Sequence, residues 1–257
     1  MLIASFNCNS VRARMPVLKR WLMQTSPDFL CLQETKVVDT DFPAEEFLAG
    51  GYYSVFMGEK SYNGVAILSK TKPDAVFYGF DGKGSDEGTR LISVKSGRIN
   101  LVNTYIPQGT APDSDKFQYK LQWFDRLKEF FNSRYKKSDV LIWVGDFNVA
   151  PDPIDVHNPK RLLGSVGYHP DEHKALASVK EWGFTDIFRK HTPDGGNYSF
   201  WDYRVKDGVA RGLGWRVDHI WGTSKASDKS VRSWIDAEPR LWEKPSDHTP
   251  ILAEFNL

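Results

Sequence analysis

The run Val140-Leu141-Ile142-Trp143-Val144 passes directly into Gly145-Asp146-Phe147-Asn148-Val149-Ala150-Pro151. Its first half is apolar throughout, too short for a typical helix, and rich in β-branched and aromatic side chains. That pattern predicts a central strand buried on both faces. Gly145 ends the run, Asp146 and Asn148 follow it, and Pro151 closes the loop. A carboxylate at the mouth of a buried strand is costly unless other groups satisfy it. The chain on either side supplies candidates for those groups.

Toward the N-terminus, Leu2–Phe6 reads as a strand running into Asn7-Cys8-Asn9-Ser10. A helix follows from about Pro16, with Leu18, Trp21, Leu22 and Thr25 at helical spacing and Pro27 just past its end. Asp28–Leu32 is a second buried strand delivering Gln33-Glu34-Thr35-Lys36, so the first 33 or so residues form a βαβ-type unit. From Tyr52 to Tyr105 the reading is mainly β. Strands at Tyr52–Met57, Val65–Ser69, Ala75–Tyr78, Thr89–Val94 and Ile99–Tyr105 are separated by turn signals, among them Asn63-Gly64 and Gly82-Lys83-Gly84. After the Pro107-Gln108-Gly109 loop a long helix is predicted from Ser114 to Lys136. Its apolar stripe is Phe117, Leu121, Phe124, Leu127 and Phe131, and its basic side is Lys116, Lys120 and Lys128.

Beyond the opening run comes a long polar loop with Asp152, Asp155 and His157, then a helix near Asp171–Trp182. That helix leads to Phe184–Phe188; Tyr198–Tyr203 then reads as β-like, and Trp215–Trp221 and Ile251–Phe255 as strands. No linker or repeat interrupts the chain. Residues 1–257 are therefore expected to form a single α/β domain of two packed sheets with helices outside.

Composition excludes several classes. With 34 Lys+Arg against 33 Asp+Glu the net charge is +1, so a nucleic-acid partner would need a local basic face. Cys8 and Cys31, the only cysteines, lie in apolar runs and fit buried thiols of a reducing compartment rather than a zinc or disulfide scaffold. No run approaches membrane-spanning length and no signal peptide is recognisable, so a cytoplasmic monomer without membrane association is expected. His157, His169, His173 and His191 sit in polar surroundings and read as surface residues.

One pattern recurs. Buried runs hand over a polar residue at their ends: Asn7, Glu34, Tyr105, Asp146 with Asn148, Asp218, and Asp247 with His248. Strand ends are where α/β sheets build sites. Six blocks are specific: Ser5–Ser10, Leu32–Lys36, Tyr105–Gly109, Gly145–Pro151, Gly214–Asp218 and Glu243–His248. Together, and in this order, they resemble the motif set of the exonuclease III family of apurinic/apyrimidinic endonucleases across nearly the whole chain. The resemblance implies a four-layer α/β sandwich: two facing, mainly antiparallel mixed sheets flanked by helices.

It also implies roles. Phosphodiester hydrolysis needs an activated water, neutralised phosphate oxygens and a leaving group able to depart. Glu34 is the leading ligand for Mg2+, for which Mn2+ would substitute, because hard cations take oxygen ligands. Asn7 and Asp247 belong near the same ion, with Asn9 beside them. Asp218 and His248 resemble the family's carboxylate–imidazole pair, Asp146 flanked by Asn148 the general base, and Tyr105 a donor to phosphate or leaving group. In a two-metal version Asp146, Asn148 and His248 hold a second ion.

Phe200, Trp215 and Val217 resemble the apolar pocket that accepts a base-less sugar. Arg90, Gln108 and Lys120 are candidates for DNA phosphate contact or helix wedging. The implied substrate is double-stranded DNA with abasic or 3′-blocked lesions. Cleavage is expected 5′ to the abasic site, giving a 3′-hydroxyl and a 5′-deoxyribose phosphate, with 3′→5′ trimming besides. Asn9, where eukaryotic relatives carry Asp, and Trp215, a eukaryote-like choice, are departures that leave the endonuclease–exonuclease balance open. Three other readings stand beside this one: additional cleavage at deoxyuridine, another phosphoesterase of the superfamily such as an inositol-lipid phosphatase, and a DNA-binding protein without catalysis.

Overall fold

The computed structural model describes residues 1–82 and 89–257, which places Lys83 and Gly84 of the expected Gly82-Lys83-Gly84 turn outside the described residues. Among the described residues twelve strands form two six-stranded sheets. In the first the order is β11 (Ser230–Ile235), β12 (Ile251–Phe255), β1 (Leu2–Asn7), β2 (Phe29–Gln33), β4 (Val65–Ser69), β3 (Tyr53–Met57). In the second it is β5 (Ala75–Tyr78), β6 (Leu91–Ser96), β7 (Ile99–Tyr105), β8 (Val140–Asp146), β10 (Asp218–Thr223), β9 (Phe184–Asp186). Each sheet holds one parallel pair, β1 with β2 and β7 with β8; all other pairs are antiparallel. The expected sandwich of mixed, mainly antiparallel sheets is what the chain forms.

Side-chain alternation builds the layers. Ile142 and Val144 of β8 face the space between the sheets, where they meet Ile3, Cys31, Ile67 and Ala253. Leu141 and Trp143 point the other way, onto α3 (Asp115–Arg134) and α5 (Pro170–Lys180). On the far side, α1 (Met15–Thr25) buries Leu18 and Trp21 against Ala4, Phe6, Leu30 and Leu252. The sheets are thus apolar on both faces, which is why the opening run carries no polar residue before its end.

The same period of two sets the site. In β1 the inter-sheet positions are Ile3, Ser5 and Asn7; in β8 they are Ile142, Val144 and Asp146; in β7 they are Leu101, Asn103 and Tyr105. Three strands from two sheets therefore end with a polar residue in the same layer. Below these ends Gln33 Nε2 donates to Asn103 Oδ1 at 2.7 Å and to Ser5 Oγ at 3.0 Å, while Asn103 Nδ2 donates to the carbonyls of Leu32 and Ala66. These bonds pair the Gln33 amide nitrogen and both polar atoms of the Asn103 amide where the apolar layer gives way to the site, while Gln33 Oε1 has no partner among the described residues.

Several expectations need correction. The strand expected at Trp215–Trp221 begins only at Asp218, and Tyr198–Tyr203 is no strand: Phe200 bridges singly to Trp215 and to His248. Phe184–Phe188, to which the sequence assigns no element type, divides into β9 and α6 (Ile187–His191) at Asp186, whose side chain caps the helix by accepting from Arg189 N. The edge strand β11 and the short helices α2 (Ala44–Ala49) and α4 (Pro159–Leu162) lie outside the elements expected from the sequence. His173 and His191 belong to helices, His169 caps α5, and all four histidines expected on the surface are half-buried. Among the described residues no helix is long and apolar enough to cross a membrane.

Candidate active site

Asp146 is fully buried at the end of β8. Three donors offset that cost. The Asn148 backbone N–H donates to Oδ1 at 2.8 Å, possible because Asn148 adopts a left-handed backbone with φ 52°. Asn7 Nδ2 and Asn148 Nδ2 reach Oδ2 at 2.8 and 3.3 Å. Burial still pushes the Asp146 carboxyl well above the usual carboxylate range; the His248 charge opposes this, while Asp218 and Glu34 reinforce it. Glu34, with φ 51°, is a second strained residue at a strand end. Asn7 Nδ2 also donates to Glu34 Oε1 at 2.8 Å, so one amide joins the two carboxylates.

Glu34 behaves oppositely to Asp146. Burial raises its pKa, but the Lys36 ammonium 2.7 Å from Oε2, hydrogen bonds from Asn7 and Lys36, and the His248 charge together hold it below its ordinary value. Lys36 Nζ also donates to Asn9 Oδ1 at 2.6 Å, and Asn9 Nδ2 donates to Asp247 Oδ1 at 2.9 Å. Asp247 is thereby linked to the cluster through Asn9. Lys36 itself, quoted in its motif without a role, is a cation built into the site that the sequence reading missed.

His248 Nδ1 lies 2.8 Å from Asp218 Oδ2, and Nε2 lies 3.8 Å from Asp146 Oδ2. Burial lowers the pKa of the ring, but Asp218, Asp146 and Asp247 outweigh it and raise the value to about 10. His248 is thus an imidazolium at neutral pH. Asp218 is positioned by its backbone, since Ser199 Oγ accepts from the N–H groups of Val217 and Asp218. Ser246 Oγ donates to the Asn7 carbonyl, which fastens the Ser246-Asp247-His248 loop to β1. Tyr105 remains a neutral phenol: burial and the Glu34 and Asp146 charges push its pKa well up.

The metal question turns on donors. Carboxylate oxygens of Glu34 and Asp146 lie within 4.8 Å of each other, with Asn7 bridging the two acids; the His248 ring is as close, but as an imidazolium bonded to Asp218 it has no free lone pair, which counts against its expected place on a second ion. Two carboxylates brought this close repel each other, and their oxygens suit a hard divalent cation. The residues fit such an ion.

Beside the cluster is a cavity of about 690 Å³ whose apolar wall is Phe200, Trp215, Val217 and Leu162 and whose polar rim includes Gln108, Asn148 and Arg204. The Phe200 ring packs against His248 at 4.8 Å between centroids. Arg90 sits behind the site, its guanidinium 4.8 Å from the Tyr105 ring centroid and Nη1 3.3 Å from the Tyr105 carbonyl oxygen. Lys120 is a correction. It lies within the apolar stripe of α3, not on its basic side, and is fully buried in an ion pair with Glu172, so it has no surface to offer DNA. Asp155, expected in a polar loop, is also buried, paired with Arg216 and Arg189.

Clustered acids, a neutral phenol and a buried imidazolium at one end of an inter-sheet layer are the groups that metal-assisted phosphoester hydrolysis calls for. The Endonuclease/Exonuclease/phosphatase family model matches residues 4–248. Exodeoxyribonuclease III of Haemophilus influenzae is 34% identical over 267 residues, covering 99% of this chain and 100% of that one. Two solved structures superpose over 100% of both chains: an AP endonuclease from Archaeoglobus fulgidus (44% identity, TM-score 0.96) and the 3′-5′ exonuclease NExo from Neisseria meningitidis (35%, 0.94). The chain belongs to the Endonuclease/Exonuclease/phosphatase family, in its exonuclease III branch of AP endonucleases.

Proposed function

We propose that the protein is a DNA-repair phosphodiesterase that hydrolyses the backbone 5′ to abasic sites, leaving a 3′-hydroxyl and a 5′-deoxyribose phosphate. The observation that carries this reading is the apolar pocket of Phe200, Trp215 and Val217 opening beside Glu34, Asp146 and His248. Such a pocket accepts a bare sugar without leaving polar base edges unpaired. The Archaeoglobus relative, an AP endonuclease, supports the same substrate class.

Within that reading Glu34, with Asn7 and Asp247 nearby, holds Mg2+ or Mn2+, which supplies charge neutralisation at the phosphate when bound. His248, held by Asp218, donates Nε2–H to a phosphate oxygen, a charge-assisted bond. An imidazolium cannot accept the water's proton, so Asp146 is the base; its raised pKa makes it a better acceptor than an ordinary carboxylate. Asn148 orients that carboxylate. The Tyr105 phenol donates to the phosphate or the leaving oxygen. Arg90 fixes Tyr105 from behind, and Gln108 meets the DNA backbone at the rim.

A second activity, trimming of 3′ ends, is supported by the NExo relative, which is described both as a 3′-5′ exonuclease and as a 3′ phosphatase bound to a product DNA hairpin. A panel of duplexes carrying an abasic site, a deoxyuridine, a 3′-phosphate or a blunt end, with Mg2+ and with chelator, tests both. The reading expects the abasic duplex to be cut fastest and only with the cation. An intact abasic duplex would sink it.

A further inference from the structure

Lys120 and Glu172 are each fully buried, and among the described residues no hydrogen bond joins either to Glu34, Asp146 or His248. Lys120 rises from α3 and Glu172 from the first turn of α5. The Lys120 ammonium spends its other two protons on backbone, donating to the Gln108 carbonyl at 3.0 Å and the Asn148 carbonyl at 2.8 Å. Glu172 spends its second oxygen similarly: Oε2 accepts from Gly167 N at 2.7 Å and His169 N at 3.1 Å. One ion pair therefore grips three separate loops by their main chain. Gln108, Asn148 and Gly167, one from each, all line the cavity beside the active site.

We infer that the Lys120–Glu172 pair is a positioning device that sets the mouth of the substrate pocket by holding the Gln108, Asn148 and Gly167 loops at fixed distances from one another. Three details support a positional role over mere packing. Every hydrogen bond of the pair beyond its own ion pair goes to a loop backbone rather than to another side chain. Both oxygens of Glu172 and all three ammonium protons are used, so the pair leaves nothing unsatisfied and has one geometry. Gly109 packs against the Lys120 stem, and a Cβ there would lie 3.3 Å from its Cδ, which leaves the loop little room to shift. A buried pair of this kind adds little net stability compared with apolar residues; fixing one arrangement is the better account of its presence.

The inference rests on the pocket being the DNA site, and its test separates the two claims. Three variants are compared with the wild type: Lys120→Arg, Glu172→Gln, and the double variant Lys120→Met/Glu172→Leu. The double variant removes both charges together and guards against a fold lost to one stranded ion. Amide hydrogen exchange and steady-state cleavage of an abasic duplex are measured on each. The expected result is faster exchange in all three loops for the double variant, with KM raised at least tenfold and a smaller fall in kcat that follows from loosening Asn148 beside Asp146. Lys120→Arg should recover most of the KM. Faster exchange confined to residues 167–169, or a fall in kcat alone, would overturn the inference. If the wild type does not cut the duplex, the pocket reading fails, while the exchange pattern still decides whether the pair couples the loops.

Discussion

His248 Nδ1 lies 2.8 Å from Asp218 Oδ2, with both side chains buried and Asp218 Oδ1 left without a hydrogen-bond partner among the described residues. The carboxylate is therefore committed to the ring, fixing its orientation and its charge. Asp218→Asn keeps the shape and removes the charge. In that variant, nitrogen-15 spectra of the metal-free protein should show a neutral His248 at pH 7.5 where the wild type shows an imidazolium. Turnover should fall by roughly 100-fold or more, in the range for loss of a charged partner in proton chemistry. An imidazolium persisting in Asp218→Asn would refute the assignment.

Two buried histidines act on stability with opposite sign. The His248 pKa is raised to about 10, above its unfolded value, so its contribution is fully present below about pH 6.5 and is lost as pH rises through 10. His219 is pushed down to about 3 by burial and the Arg216 charge, which donates to its Nδ1 at 2.9 Å. Its contribution is present above about pH 6.5 and is lost as pH falls toward 3. His219→Gln should flatten the decline of Tm between pH 6.5 and 4. Curves for variant and wild type running parallel through that window would contradict the account.

Gly145 is the one position of β8 where a side chain cannot stand. Its φ is 144°, and a Cβ would lie 1.9 Å from the Thr104 carbonyl oxygen of the neighbouring parallel strand. Gly145→Ala forces β7 and β8 apart next to Asp146, at a cost of about 2–4 kcal/mol typical of backbone strain with core clash. Chemical denaturation should show a lower midpoint with an unchanged slope. A midpoint equal to that of wild type would mean that the close approach carries no constraint.

The Phe200 and Trp215 walls predict selectivity. Opening the pocket with Trp215→Ala should narrow the preference for abasic over base-bearing duplex by about tenfold or more, the scale of lost apolar complementarity. Competition between the two duplexes in one tube measures this ratio directly. An unchanged ratio would remove Trp215 from substrate selection.

How much of the fold and the site is legible in the sequence depends on where each signal resides. Local patterns carried most of the fold: β7 and β12 span the residues expected of them, because each is a short run rich in apolar and β-branched residues bounded by turn signals such as Ser96-Gly97, Pro107 and Pro250. Strand-end polarity carried most of the site, since Asn7, Glu34 and Asp146 each end or follow a buried run and His248 stands just before one. The edge strand β11 escaped notice because it pairs on one side only and buries just Ser233 fully, so its pattern is weak. Lys120 was misread although a signal existed. Phe117, Lys120, Phe124, Leu127 and Phe131 repeat at three and four residues, which places the lysine inside the apolar stripe. What no local pattern reveals is its partner Glu172, 52 residues away, or the pairing of Arg216 with Asp155 across 61. Such pairs belong to the tertiary structure.

The most direct test of the central claim, that one cluster at the strand ends cuts DNA at abasic sites with a divalent cation, is single-turnover cleavage of an end-labelled abasic duplex by wild type and Glu34→Gln across a Mg2+ titration, with DNA binding measured in parallel. The account predicts Mg2+-dependent incision 5′ to the lesion by wild type. Glu34→Gln should bind the duplex comparably and cut at least about 100-fold more slowly even at saturating cation. Equal rates for the two proteins, or undiminished wild-type cleavage in chelator, would contradict it.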